Sequence, residues 1–230
     1  MKRVLVILLL SFVPILALAQ ASLSVRAGGG YNRAARGMGE TQLLLHHDFA
    51  PNFRAGAGYR FNSFGLGNAF QAGGKVMLPL GGFDLTLESR GIWDLRPTLN
   101  VQEFNTMFLA GSSFWKGRIE LKAGLFNKFY TTIGKQDNTH HWVFEPLNLA
   151  YYGRVWLLPR ERNYNVSLAL FNVNDFLAER AFAPIMELGF LCQTGKVDYF
   201  LELRMQNAGV FNVTNSFYGG EILVGARWRW

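Results

Sequence analysis

The amino-acid sequence predicts an all-β fold, a single transmembrane antiparallel up-and-down β-barrel of about 12 strands. Three observations lead to this prediction. Apolar and polar residues alternate with the period of a strand, not with that of a helix. The alternating segments are each about ten residues long, which is enough to cross a bilayer when the strand is tilted. The connections between segments alternate between tight turns and long, polar or irregular loops.

The first 19 residues predict a secretory signal peptide that precedes the barrel. Lys2 and Arg3 form a cationic start, an apolar stretch follows, and Ala17-Leu18-Ala19 forms a cleavage site. The alternative is a retained membrane anchor, but the apolar stretch is short for a spanning helix and is interrupted by Pro14. We therefore expect a signal peptide at 1–19 and a barrel domain at 20–230.

Composition limits the partners and cofactors of the exported chain. Without Lys2 and Arg3, the 23 basic residues become 21, which stand against 16 acidic residues and leave a net charge of +5. Export argues against nucleic acid as a partner, although the balance is positive. The single cysteine, Cys192, excludes an internal disulfide and a cysteine-based zinc cluster. We expect no cofactor and no metal.

Twelve alternating segments follow one another along the chain. They are 22–31, 40–49, 52–61, 69–78, 83–93, 104–115, 118–131, 146–157, 163–173, 185–193, 196–206 and 219–230. In "FDLTLESR", for example, the apolar residues at 83, 85 and 87 share one face and the polar residues at 84, 86, 88 and 90 the other. Every second connection is tight, as in "KG" and "TG", and the others are long, as in "GKQDNTHHWVFE" and "NDFLAERAFAP". An even number of strands with short turns at one end and long loops at the other is typical of barrels in outer membranes.

A soluble sandwich or a lipocalin-like barrel would also alternate, so the composition of each face has to separate the two classes. The apolar faces are mostly free of charge, and nearly all strand charges share the opposite face. Aromatic residues such as Phe49, Phe53, Trp93 and Phe129 cluster near the strand ends. Both features favour a barrel whose apolar face meets lipid between two aromatic belts.

The last strand carries a motif of its own, "GARWRW". Gly225, Trp228 and Trp230 resemble the terminal-strand signal of bacterial outer-membrane β-barrel proteins, and Leu223 departs from it because a polar residue is common there. The resemblance implies an outer-membrane location in a Gram-negative bacterium, contact with outer-membrane lipid, and recognition of the strand by the barrel-assembly machinery. An incidental amphipathic end strand is the alternative. No specific family is indicated.

If the apolar face meets lipid, the charged face lines the lumen. The charged residues predicted to line the lumen are Arg26, Asp48, Arg54, Arg60, Lys75, Asp84, Glu88, Arg90, Arg118, Glu120, Lys122, Arg154, Glu187, Glu202, Arg204, Arg227 and Arg229, together with Lys128, Asp198 and Glu221. Basic residues are in excess, chiefly on strands 12, 1, 3 and 4. A basic wall along a water-filled lumen favours anions. The alternative is a lumen closed by ladders of salt bridges, since twelve strands lie between the packed and the conducting sizes of barrel.

Tight hairpins also predict which residues lie opposite each other. "WKGR" and "FAPNF" predict the pairs Ser113–Glu120, Asn105–Lys128 and Asp48–Arg54, and "PLGG" predicts Lys75–Thr86. "QTGK" places Glu187 opposite Glu202, and such like charges destabilise a sheet. We expect an arginine to bridge the two carboxylates, from Arg204, Arg227 or Arg229. A bound cation or proton is the alternative.

Enzyme chemistry finds little support in the sequence. In "LLLHHDF", the alternation directs His46 into the lumen and His47 to lipid, and Asp48 could orient His46 as a base. No serine lies near His47, as a barrel phospholipase would require. The adjacent histidines of "THHW" lack a third metal ligand. We expect no enzymatic activity.

The sequence thus predicts a porin-like passive channel for small anionic solutes. In size and strand count the chain resembles small twelve-stranded channels for acidic sugars. Two alternatives stay open: a non-conducting structural or partner-binding barrel with a plugged lumen, and a barrel-type lipid hydrolase or protease.

Overall fold

The protein forms a closed β-barrel. The computed structural model describes residues 21–32, 37–63, 66–80, 83–133, 140–159, 162–208 and 216–230, so the predicted signal peptide at 1–19 lies outside the described residues. Within these ranges the chain forms twelve antiparallel strands. Each strand pairs with its sequence neighbours, and the first pairs with the last.

The strands follow the predicted segments closely, and most of them are longer. They are β1 (Ala21–Asn32), β2 (Met38–Ala50), β3 (Phe53–Asn62), β4 (Gly67–Leu80), β5 (Phe83–Arg96), β6 (Val101–Phe114), β7 (Ile119–Ile133), β8 (His140–Trp156), β9 (Tyr164–Phe171), β10 (Ile185–Thr194), β11 (Val197–Ala208) and β12 (Ser216–Arg229). A 3-10 helix, Pro97–Leu99, joins β5 to β6. No helix among the described residues is long and apolar enough to cross a membrane.

The pairing of β1 with β12 closes the barrel. Arg26 on β1 lies opposite Gly225 on β12 and opposite Gln42 on β2. Closure leaves no sheet edge along β1 or β12, as a strand structure in lipid requires. The predicted all-β, up-and-down barrel is therefore confirmed.

The two faces of the wall reverse the pattern of a soluble protein. Large apolar side chains such as Phe108, Leu168 and Ile222 are exposed on the outside. Polar side chains such as Gln71 and Asn105 are buried on the inside. This arrangement suits a barrel with lipid outside and a polar interior.

The two ends of the barrel differ. One end, which we call the short-turn end, carries the turns at 51–52, 115–118 and 195–196. The opposite end, which we call the long-loop end, carries the longer connections, including residues 172–184 between β9 and β10.

Strand β8 begins six residues earlier than the segment predicted from the sequence, at His140 instead of residue 146. The alternation breaks at Pro146 and Leu147, because Leu147 has a positive φ of 54° and the β7–β8 register shifts between Phe126 and Lys128. The amide of Leu147 donates to Asn127 Oδ1 at 3.0 Å. The break is therefore a β-bulge inside one strand and not the end of a loop.

Three predicted pairs are confirmed, and two hairpins have a different register. Ser113 faces Glu120, Asn105 faces Lys128, and Asp48 faces Arg54. The "PLGG" prediction is wrong, since Lys75 faces Glu88 and Thr86 faces Met77. The "QTGK" prediction is also wrong, since Glu187 faces Arg204 and Glu202 faces Gly189.

In both hairpins the pairing is shifted by two residues from the predicted register. In the second hairpin the turn is Gly195-Lys196, and Gly195 supplies the positive φ of 59° that the turn needs. Moving a turn by one residue shifts the pairing by two, so every side chain keeps its face.

Residues 172–184, which we call the inner loop, fold into the lumen. Asn172 ends the β9 segment of the wall: its side chain accepts a hydrogen bond from the Tyr151 amide at 2.8 Å and donates to the Leu149 carbonyl at 2.8 Å. The loop then forms a narrow hairpin in which Val173 bridges to Ala178. The amide of Glu179 donates to the Asn172 carbonyl and returns the chain to the wall.

Candidate functional site

The inner loop divides the lumen into two cavities. The larger cavity, of about 1000 Å³, opens toward the short-turn end, and the smaller, of about 340 Å³, toward the long-loop end. Asn174 of the inner loop and Arg204 of β11 line both cavities. The two cavities therefore adjoin each other at the loop tip and the β11 wall.

Most of the charged residues singled out in the sequence meet in the larger cavity. Its lining includes Arg26, Arg54, Lys75, Asp84, Glu88, Arg90, Glu120, Lys122, Arg154, Glu187, Glu202, Arg204 and Arg227. Arg60 and Glu221 line the smaller cavity.

The remaining predicted residues take other places. Asp48 pairs with Arg54. Lys128 pairs with Glu103 at 3.1 Å. Arg229 contacts Asp198 at 2.6 Å. Arg118 lies in the turn after β6, where its guanidinium donates to the Leu157 carbonyl at 2.7 Å. These contacts place Arg118 at the turn and not on the lumen wall, where the sequence predicts it.

The two cavities differ in charge. Nine basic and six acidic side chains line the larger cavity. Three basic and four acidic side chains line the smaller one. The field of the larger cavity therefore favours anions, and it is strongest where cations lack a nearby carboxylate.

Arg204 holds together the carboxylates of β10, β11 and β12. Its Nε donates to Glu187 Oε2 at 2.9 Å, its Nη2 to Glu202 Oε2 at 2.6 Å, and its Nη1 to Glu221 Oε2 at 3.4 Å. Arg154 of β8 adds a contact of 2.7 Å to Glu187. The expectation that an arginine bridges Glu187 and Glu202 is thus confirmed, although the two carboxylates are not directly opposite each other.

A second network lies across the lumen on β5 and β7. Glu88 contacts Arg90 on its own strand and Lys122 of β7, the latter at 3.0 Å. Lys122 also contacts Glu120 at 3.2 Å. These pairs neutralise much of the charge on this side of the larger cavity.

Three cations of the larger cavity have no carboxylate within 4.0 Å among the residues that the structure describes. They are Lys75 on β4, Lys116 in the turn after β6 and Arg227 on β12. Arg227 Nε donates to Ser24 Oγ at 3.3 Å, a neutral partner. Their positive charge therefore remains available to a solute in the cavity.

The tip of the inner loop places a carboxylate between two arginines. Asp175 Oδ2 lies 3.5 Å from Arg26 Nη1, and Asp175 Oδ1 lies 3.4 Å from Arg90 Nη2. Burial alone would raise the pKa of Asp175, but the guanidinium groups of Arg90 and Arg26 hold this pKa well below its ordinary value. Asp175 is therefore ionised at neutral pH.

Apolar contacts seat the loop against the wall. Phe176 is 2 % exposed and packs with Leu44 and Ala69. A Cβ at Gly58 would lie 2.9 Å from Phe176 Cζ, so the absence of a side chain at Gly58 makes room for the ring. On the other side of the lumen, Val173 and Ala178 join a cluster with apolar side chains of β5 to β8.

The sequence predicts a loop for this segment but does not predict that the loop packs inside the lumen. The available signal was its composition, because "FLA" at 176–178 is apolar in a connection expected to be polar.

The histidine candidates do not form a catalytic arrangement. His46 lines the larger cavity, but Asp48 pairs with Arg54 at 2.5 and 2.9 Å instead of orienting His46. His47 is on the outward face and packs against the ring of Phe49 at 4.4 Å. Across the described ranges there is no group of three or more histidine, cysteine or acidic side chains placed to hold a metal.

The residues of the terminal motif occupy the two faces of β12. Trp228 and Trp230 are exposed on the outside. Gly225 faces inward, where a Cβ would lie 2.5 Å from Phe200 Cε2, so the glycine makes room for that ring.

Comparison with known proteins supports the fold at the level of structure only. No protein-family model and no curated protein sequence matches the chain. The chain is similar in structure to the NanC porin, with a TM-score of 0.59 at 12% identity, over 90% of this chain and 98% of that one. Its similarity to the KdgM porin has a TM-score of 0.56 at 10% identity, over 90% and 98% of the two chains.

The translocator domain of the autotransporter NalP from Neisseria meningitidis is also similar, with a TM-score of 0.52 at 14% identity, over 92% of this chain and 88% of that one. These likenesses show that the chain has an outer-membrane β-barrel fold. Together with the apolar exterior, this fold is that of a barrel whose strands cross a bilayer.

Proposed function

We propose that this barrel is a passive outer-membrane channel for small anionic solutes, narrowed by its inner loop. The observation that carries the proposal is the lining of the larger cavity, where basic side chains outnumber acidic ones and Lys75 and Arg227 have no described carboxylate partner. In a low-dielectric barrel such charges raise the local concentration of anions.

The pathway would run through both cavities. In barrels of this fold the short turns face the periplasm and the longer loops face outward. A solute would therefore enter the smaller cavity, pass between Asn174 and Arg204, and reach the basic cavity on the periplasmic side.

Two structurally similar proteins support this proposal. NanC and KdgM are described as porins, and KdgM was also solved in complex with oligogalacturonate, an anionic oligosaccharide. An anionic solute would suit the charge of the larger cavity in the present barrel.

The test is single-channel recording of the refolded barrel in a planar bilayer with symmetric KCl. The channel proposal expects discrete conductance steps from a protein whose strand content is confirmed by circular dichroism. A folded barrel that stays electrically silent over many insertions would overturn it.

A non-conducting barrel is the second candidate, and the inner loop is the observation that favours it. The loop contacts opposite sides of the lumen. Phe176 packs against residues of β2 and β4, and Val173 packs against residues of β5 to β8. Deleting residues 173–178 distinguishes the two candidates. If the loop is a permanent plug, only the deletion variant conducts. If it is a constriction, the native barrel conducts and the deletion increases the step size.

Two further parts of the proposal concern biogenesis and chemistry. Residues 1–19 direct export as a cleaved signal peptide, and Gly225, Trp228 and Trp230 present β12 to the barrel-assembly machinery. The barrel has no enzymatic activity. Mass spectrometry of the mature N-terminus, assembly assays of a Trp230→Ala variant and lipid-turnover assays test these statements separately.

A further inference from the structure

The inner loop ends in a tight turn that presents Asp175 to the larger cavity. The amide of Phe176 donates to Asn174 Oδ1 at 2.8 Å, and the amide of Asn174 donates to the Leu177 carbonyl at 2.9 Å. Arg90 Nη1 also donates to the Asn174 carbonyl at 2.5 Å. The turn thus fixes the direction in which the Asp175 carboxylate points.

Unlike Glu187 and Glu202 in the wall, Asp175 has no arginine contact shorter than 3.4 Å among the described residues. Its oxygens lie 3.5 Å from Arg26 and 3.4 Å from Arg90, whereas Arg204 lies 2.6 Å from Glu202. The Asp175 side chain is also 26% exposed, and it lines the larger cavity. A solute in that cavity can therefore reach the same arginines without first disrupting the wall.

We propose that Arg26 and Arg90 form a carboxylate-binding site that Asp175 occupies as an internal ligand, and that a carboxylate-bearing solute displaces Asp175 and releases the inner loop. This inference rests on the proposed function, because a released loop would widen the route between the two cavities. The contacts of Arg26 and Arg90 with Asp175, on which the site is based, do not depend on whether the barrel conducts.

Neighbouring charges favour one further carboxylate at this site, beyond those that the wall already supplies to the two arginines. Arg90 is shared with Glu88, and Arg26 is shared with Glu202 at 3.5 Å. Each arginine therefore already has one carboxylate from the wall, and Asp175 supplies the exchangeable one. Lys122, which contacts Glu88 at 3.0 Å, adds positive charge next to Arg90.

The same cavity favours a solute with two carboxylates over a solute with one. Lys75 and Arg227 line it without a described carboxylate partner. A dicarboxylate can contact an arginine of the Asp175 site with one group and Lys75 or Arg227 with the other. It thereby gains an interaction that Asp175, with one carboxylate, does not make. The cavity volume of about 1000 Å³ accommodates such a molecule.

A buried residue of the inner loop can report the release directly. Val173 is 2 % exposed, and cysteine is close to valine in size. In a Cys192→Ser, Val173→Cys barrel, the thiol is protected while the loop is seated and reacts with a small methanethiosulfonate once the loop is released. The reaction rate is measured on the folded barrel in detergent micelles, in chloride, acetate or succinate at equal ionic strength and pH.

We expect succinate to accelerate modification about tenfold over chloride, equivalent to about 1.4 kcal/mol in loop seating, and acetate to have less effect. An added Asp175→Asn substitution should raise the rate in chloride and remove the dependence on succinate. Asp175→Glu, which retains the carboxylate, should restore part of the protection. Asp84→Asn is the matched control, because Asp84 lines the same cavity away from the loop, and it should leave both rates unchanged.

Two results would overturn the inference. One is a modification rate that is the same in chloride and succinate, and the other is an Asp175→Asn barrel that is as protected as the parent. Conduction is recorded separately. A silent barrel with succinate-dependent exposure of residue 173 would refute the channel but not the site, and a conducting barrel without this dependence would refute the site but not the channel.

Discussion

At the scale of single residues, Arg204 determines whether the carboxylates of the lumen wall are compensated. It contacts Glu187, Glu202 and Glu221 from three different strands, and both Glu187 and Glu202 are buried. Carboxylates that share one guanidinium do not repel each other as an uncompensated pair would. Removing that guanidinium leaves charges that the wall cannot solvate.

We therefore expect Arg204→Met to destabilise the barrel by roughly 3 kcal/mol or more, since one partner of a buried ion pair is lost while the others stay charged. Reversible urea unfolding in lipid vesicles measures this change. Arg54→Met is the matched control. Arg54 and Asp48 are 44% and 30% exposed, so their pair contributes about 1 kcal/mol or less. Equal losses for the two variants would contradict the role assigned to Arg204.

Single residues also show how far the sequence could predict the structure. The faces of Glu187, Glu202 and Lys75 could be predicted, because alternation determines which side of the wall a side chain occupies. Their cross-strand partners could not, because a shift of two residues preserves every face. Only the position of the turn determines which residues pair across the strands. In the β10–β11 hairpin, the positive φ of Gly195 marks that position.

At the scale of elements, the inner loop is what separates this barrel from an open pore. Alternation ends after β9, so the strand pattern contains no information about the path of residues 172–184. Their inward packing depends on tertiary contacts, such as that of Phe176 with Leu44 and Ala69, which no local pattern reveals. The apolar composition of the loop could have indicated burial, but not the wall against which it packs.

The packing of Phe176 against the wall can be tested by trypsin cleavage after Arg180, which lies in the same loop. Phe176→Ala removes a buried ring, a change that costs roughly 3–5 kcal/mol in a packed core, and we expect the loop to detach while the barrel stays folded. Trypsin cleavage after Arg180, identified by mass spectrometry, should then accelerate by roughly tenfold or more. Phe182→Ala in the same loop, at a ring that is 50% exposed, should have little effect. Similar cleavage of both variants would show that Phe176 does not anchor the loop.

Acidity should act on the loop through Asp175. Burial opposes ionisation of Asp175, but Arg90 and Arg26 lower its pKa below the ordinary value of 3.8. The stabilisation from this pairing is therefore complete above about pH 3.8 and is lost as the pH falls through the lower folded-state pKa. Burial raises the pKa of Glu179 in the same loop, so its contribution has the opposite sign: it is present at low pH and is lost as the pH rises through that raised pKa.

Hydrogen exchange of the peptide covering 172–184, corrected for the intrinsic rate, separates the two groups. We expect the protection that wild type has over Asp175→Asn to stay constant from about pH 7 to pH 5 and to narrow only below about pH 3.8. A Glu179→Gln barrel should keep this Asp175-dependent behaviour. A difference that is already lost by pH 5 would mean that Asp175 is not held by the two arginines.

At the scale of the whole molecule, the apolar exterior and the charged interior have different consequences. The exterior, with exposed side chains such as Phe108 and Ile222, accounts for residence in a bilayer. The interior has its largest basic excess on the short-turn side of the inner loop. The sequence predicted an excess of basic residues in the lumen, but the division into two cavities of different charge follows from the loop.

The most direct test of anion preference is the reversal potential of single channels in a tenfold KCl gradient. We expect the compartment with concentrated KCl to become positive, since chloride crosses more readily than potassium, toward a limit of roughly 59 mV. Lys75→Gln combined with Arg227→Gln should reduce this potential, and Arg118→Gln, at the barrel rim, should not. A reversal potential of the opposite sign in the wild-type barrel, or one unaffected by loss of Lys75 and Arg227, would contradict the basic cavity as the source of selectivity.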